Sequence, residues 1–191
     1  MLNWKNLSTN LLFISVGFIV AGCEVVDLDS NGKPIIPMSE AEAAALSNME
    51  PKDIAEKIWN DILQDAKSSA ADSITNLANN KSYFVRLVGV IESIDDKQNI
   101  QLKVDNNTIL IQNGSILRGN AIRDASSMIS FDQFKNQVQF AKLSKELSKK
   151  AVAGMPKLDN DWIGKNVEIL TALTIKNNQV QDAVPLEIIE R

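Results

Sequence analysis

The chain has 191 residues, of which 45% are apolar, 23% charged and 5% aromatic, with a formal net charge of −4. This composition fits a folded domain and excludes a disordered, collagen-like or polytopic membrane chain. The acidic balance, without any basic block, argues against nucleic acid as a partner, and the absence of histidine removes the usual base of nucleophilic catalysis and a usual zinc ligand.

Residues 1–10 are polar and carry Lys5, and Leu11 to Val20 is an apolar run. That run suits the hydrophobic region of a signal peptide and falls short of the about 20 residues a membrane-spanning helix needs. Val20-Ala21-Gly22-Cys23 follows and resembles the bacterial lipobox, in which small residues admit the backbone to a peptidase and the thiol accepts a diacylglyceryl group. Residues 1–22 therefore read as a lipoprotein signal peptide, and Cys23 as the lipidation site and first mature residue. Two or three acyl chains on one residue hold a protein on a bilayer almost permanently. As the single cysteine, Cys23 has no disulfide partner. Losing residues 1–22 removes Lys5 and no acid, so the mature net charge becomes −5. The expected location is the cell envelope, on the periplasmic or extracytoplasmic face, with the membrane as a partner through the anchor.

Residues 23–38 read as a tether. Asp27-Leu28-Asp29-Ser30-Asn31-Gly32 copies the first half of an EF-hand loop, but Met38 stands where the bidentate glutamate belongs, so this is a hydrophilic turn. Residues 39–80 read as helical. Ser39 and Glu42 form a capping box, and Pro51 suits the first turn of a longer helix. Ile54, Ile58, Ile62 and Ala66 recur on one face, widened by Trp59 and Leu63, and Ile74 and Leu77 extend the pattern toward Asn79-Asn80.

Residues 81–191 change to the alternation of strands. A first long strand from Tyr83 to Ile94 carries Gly89, which suggests a bulge or bend. Two shorter strands follow, through Ile100, Leu102 and Val104 and through Ile109 and Ile111. A capping box at Ser130 and Gln133 predicts a helix from 131 to about 150. It has apolar residues on two sides, Phe131, Phe134, Val138 and Ala141 against Phe140, Leu143 and Leu147. Strands through 167–175 and 184–188 close the chain. Three strands, a helix and two strands is the order of an α+β, OB-like five-stranded antiparallel barrel with a helix between strands 3 and 4 that plugs the barrel's open end; a loose antiparallel sheet with packed helices is the alternative.

The stretch Gly114-Ser115-Ile116-Leu117-Arg118-Gly119-Asn120-Ala121-Ile122-Arg123-Asp124-Ala125, with Phe131-Asp132-Gln133-Phe134-Lys135-Asn136-Gln137 after it, resembles the signature of an uncharacterised family of predicted periplasmic lipoproteins, domain of unknown function 2291. Ser115 and Asn120 depart from the proline and threonine usual there. The resemblance implies an envelope role beside sugar ABC transporters, with a transporter component or sugar-related ligand as partner, and brings no established activity.

Arg118, Arg123 and Asp124 are the most directional polar group in the chain. They could fix a crossover as a salt bridge or bind a carboxylate, phosphate or acidic surface. Asn136 could complete that site, and Trp162 is the best candidate for a sugar-stacking platform. The carboxylate pairs Asp95/Asp96 and Asp159/Asp161 lie in hydrophilic turns. The expectation is a non-catalytic, lipid-anchored accessory binding module with no cofactor or metal; the alternative is an envelope hydrolase using carboxylates.

Overall fold

The alternating run from residue 81 folds as one long strand, β1 (Lys81–Ile94). The computed structural model, which describes residues 45–46, 48–134 and 136–191, adds β2 (Ile100–Val104), β3 (Asn107–Ile111), β4 (Asn166–Lys176) and β5 (Gln179–Glu190). The five strands pair antiparallel in the order β3-β2-β1-β4-β5, and Ala71 adds an isolated parallel bridge to Val85. Asn177 and Asn178 both adopt positive φ, 53° and 57°, the geometry of a two-residue hairpin turn, which Asn tolerates. Among the helices of the described residues that accompany the sheet are α1 (Pro51–Ser69), α2 (Ala121–Ala125) and α3 (Gln137–Ala153). The lipobox with Cys23, the tether and the capping box at Ser39 lie outside the described residues.

β1 serves two partners. β4 pairs with residues 81–90 along one edge and β2 with residues 90–94 along the other, so the sheet curls where the pairings meet. Gly89 stands at that corner, and a Cβ there would lie 2.2 Å from the Lys103 carbonyl oxygen. The register irregularity falls between Ile91 and Ser93, not at Gly89, whose role is to let β2 approach.

Two apolar cores result. Leu87, Ile91, Ile100, Leu102, Ile111 and Ile169 point into the curl and form the barrel core, completed by Leu158 and Trp162 from the loop before β4 and by Ile74, Leu77 and Tyr83. On the outer face of β1, β4 and β5, residues such as Phe84, Leu170 and Leu186 meet Ile54 and Ile62 of α1, Ile122 of α2, and Leu143 and Leu147 of α3.

This arrangement corrects three expectations. First, α2 and α3 do come between β3 and β4 in the chain, but α3 covers the outside of the sheet and does not plug the barrel. Its buried positions, Leu143, Ser144, Leu147, Ser148 and Ala151, form a single stripe, and a one-sided helix packs on a surface. Second, the helix does not begin at 131. The Ser130 capping box closes only a short 3-10 turn, Phe131–Gln133, after which Phe134 is extended at φ −121°, ψ 147°; α3 starts afresh with Asn136 as its N-cap. Third, Ile74 and Leu77 are not helical. The Ala71 N–H donates to the Phe84 carbonyl at 2.9 Å and its carbonyl accepts from Arg86 N–H at 2.8 Å, so the backbone leaves the helix to find β1.

Candidate functional site

The curled sheet does not close along its length. Among the described residues one backbone bond, from Gln112 N–H to the Ala183 carbonyl at 2.8 Å, joins the end of β3 to β5. Beside it lie two hollows of about 410 Å³ and 730 Å³. Both are lined by Leu110 and Val180, so they adjoin along the seam and together make up its cleft. The smaller hollow has the charged groups Lys97, Arg118 and Asp182 with Asn99, Gln112 and Gln181; the larger is bordered by Asn107, Asn178 and Gln179 over Ile109 and Ile175. Leu110 and Ile116 are 50% and 58% exposed, a high value for aliphatic side chains in a hollow.

Each wall has a local cause. In the turn between β1 and β2, the Asp95 carboxylate accepts from Lys97 N–H at 2.9 Å, Asn99 N–H at 2.8 Å and Asn99 Nδ2 at 2.9 Å. These bonds, the Asn99 side chain's foremost, lower the Asp95 pKa below its ordinary 3.8. The segment after β3 lies directly on this turn, because a Cβ at Gly114 would stand 2.2 Å from the Lys97 carbonyl oxygen. The Gln112 amide then clamps residue 118: Oε1 accepts from Arg118 N–H at 2.8 Å and Nε2 donates to its carbonyl at 3.1 Å. The Arg118 backbone is held at both polar atoms, while its guanidinium makes no ion pair with any described residue.

Across the seam, β5 carries a bulge. Ala172 pairs with Val184 and Thr174 with Gln181, which leaves Asp182 and Ala183 facing one residue. Asp182 takes φ 55°, and its side chain lies against Gly119, where a Cβ would fall 2.2 Å from the Asp182 Cγ. Gly119 is itself at φ +85°, a conformation that favours glycine. Two buried amide oxygens nearby in sequence, Asn99 Oδ1 and Asn113 Oδ1, have no hydrogen-bond partner; each such atom costs about 1–3 kcal/mol.

Of the polar residues singled out in the sequence, the cleft contains Arg118. Arg123 and Asp124 lie elsewhere, on α2 against α3. Arg123 Nε donates to Asp124 Oδ1 at 2.7 Å and Nη1 to the Phe140 carbonyl at 3.4 Å, and the guanidinium sits 3.9 Å from the Phe140 ring centroid. With its side chain 11% exposed, Arg123 bolts two helices together. Asn136 caps α3, its Oδ1 accepting from Gln139 N–H at 2.9 Å, and borders a separate hollow of about 400 Å³ beside Met49 and Pro51. Trp162 is half-buried against the barrel core, with the Lys165 ammonium 4.9 Å from its ring. Cys23 lies outside the described residues. Asp159 caps a 3-10 turn, Asn160–Trp162, by accepting from Asp161 N–H at 3.1 Å, so neither carboxylate pair reaches the cleft.

Lys97, Asn99, Gln112, Gln181 and Asp182 were not singled out as site residues. The one signal for them is the bracketing of Arg118 by Gly114 and Gly119. Among the described residues no group of three or more His, Cys, Asp or Glu could hold a metal ion, and no helix is long and apolar enough to cross a membrane.

A family model described as predicted periplasmic lipoprotein (DUF2291) matches residues 73–189. The crystal structure of an OB-fold protein from Thermotoga maritima is similar with a TM-score of 0.56 and 19% identity, covering 75% of this chain and 99% of that one. At that identity the likeness shows the fold, a five-stranded OB-type sheet with added helices. No curated protein matches the chain.

Proposed function

As the chain belongs to the DUF2291 family of predicted periplasmic lipoproteins, and is therefore a lipid-anchored envelope protein, we propose that it is a non-catalytic accessory binding module of ABC-type sugar transport, anchored through Cys23, with the β3–β5 seam as its binding surface. One observation carries this reading: the Arg118 guanidinium and the Asp182 carboxylate of the cleft make no ion pair with any described residue, and Lys97 acts only through space on Asp95. Arg86, Arg123 and Arg191, by contrast, each pair with a carboxylate. An arginine held by its backbone with its fork free is suited to bidentate recognition. The cleft is lined by one carboxylate, Asp182, and glycoside hydrolysis ordinarily uses two.

The test is co-purification from native membranes. Wild-type protein should retain a transporter component or substrate, Arg118→Ala should lose it without a change in melting temperature, and Cys23→Ser should remain unprocessed and without lipid. Retention unchanged in Arg118→Ala and in Gln181→Ala would remove the cleft from the proposal. Turnover of a glycan or ester that vanishes in Asp182→Asn would overturn its non-catalytic part.

A further inference from the structure

We infer that the seam cleft takes an acidic oligosaccharide, with a sugar carboxylate on Arg118 and Lys97 and ring hydroxyls on Asp182, Gln181 and the amides beyond. This deepens the binding-module reading above and rests on it. The charges select the class. Arg118 and Lys97 line the smaller hollow, Arg118 with no ion pair to any described residue and Lys97 acting only through space on Asp95, so the hollow favours an anionic group. Asp182 lines the same hollow, also unpaired, and would repel a bare anion, but a carboxylate accepts hydrogen bonds from hydroxyls. A ligand carrying a carboxylate and hydroxyls satisfies both demands at once.

The remaining lining agrees. Amide side chains supply both donors and acceptors, matching hydroxyls that are themselves both. They continue from Gln181 to Gln179, Asn178 and Asn107 along the larger hollow, a path for more than one sugar. Leu110, Ile116 and Val180 offer aliphatic surface for the apolar face of a ring, in place of the aromatic platform expected from Trp162. A nucleic acid would want aromatic stacking surfaces, and no aromatic residue lines either hollow. An added peptide strand would need an uninterrupted backbone edge. Here the bulge at Asp182 and the bond from Gln112 to Ala183 interrupt the edge beside Arg118.

Titration calorimetry on the full-length, detergent-solubilised lipoprotein tests this, with trigalacturonate, neutral galactotriose, tri-glutamate and sodium acetate as probes. Trigalacturonate should bind about tenfold or more tighter than galactotriose, the worth of one hydrogen-bonded charge pair. Arg118→Gln should abolish that preference at unchanged melting temperature, and Arg118→Lys should restore it only in part. Equal binding of the acidic and neutral trimers, tighter binding of tri-glutamate, acetate matching the sugar acid, or no binding of trigalacturonate each overturns the inference. If no sugar binds while Arg118→Ala still abolishes co-purification, the ligand class fails and the module reading stands. If trigalacturonate binds while co-purification ignores Arg118, the module reading fails.

Discussion

At Gly119 a positive φ and a neighbouring side chain act on the same atom. Gly119→Ala would place a methyl group 2.2 Å from the Asp182 Cγ and hold it at φ +85°, a conformation that costs about 1–2 kcal/mol outside glycine. Gly164 has nearly the same φ, +86°, with nothing within 4 Å of its notional Cβ. Both alanine variants should therefore lower the melting temperature, Gly119→Ala by more, and only Gly119→Ala should also displace Asp182 and weaken ligand or partner retention. Equal melting and equal retention in the two would show that Asp182 has room to move. Arg123 gives the opposite pattern. Its fork reaches Asp124 and the Phe140 carbonyl while stacking on the Phe140 ring, and lysine cannot reproduce that geometry. Arg123→Lys should cost about 1–2 kcal/mol of stability in a thermal melt while leaving retention at the cleft unchanged, whereas Arg118→Ala should do the reverse.

Among the elements, the turn between β1 and β2 gives a dependence on pH. The folded pKa of Asp95 is depressed below 3.8, so its contribution is full above that value and lost as pH falls through the folded pKa. Below pH 3.8 the amides of Lys97 and Asn99 should exchange faster with solvent and the cleft rim should loosen, while Asp95→Asn should weaken this response, as read by amide exchange. The strands were legible before the structure because inward residues such as Ile100 and Leu102 alternate with the polar Gln101 and Lys103, while β4 is a β-branched and apolar run whose alternate residues feed both cores. The break before α3 was not: Phe131, Phe134 and Val138 have helical spacing, yet they straddle an extended backbone at Phe134. Nor was the cleft legible beyond Arg118. Its residues come from segments scattered along the chain, those around Asn99, Gln112, Arg118 and Asp182 in the smaller hollow alone, and a bulge centred on an aspartate at positive φ carries no sequence mark such as a glycine would.

For the whole molecule, the stretch matched by the family model begins after α1, at residue 73, although α1 supplies Ile54, Ile62 and Ala66, each 0% exposed, to the outer core. Asp65 also ties α1 to the loop after α2, accepting from Ser126 Oγ at 3.0 Å and Ser127 N–H at 2.8 Å. A chain beginning at residue 73 should therefore bare the outer faces of β1 and β4, bind a hydrophobic dye and melt well below the longer protein; equal melting of the two would show that α1 is dispensable. Because one backbone amide among the described residues bridges β3 and β5, and the same glutamine grips the backbone of Arg118, Gln112 works as the buckle of an otherwise open belt. Its N–H should be a clock for the cleft, exchanging with deuterium sooner than the N–H groups deep in β1 of the empty protein. An occupant that pulls both strands together should slow that one hydrogen, leaving the β1 amides as they were.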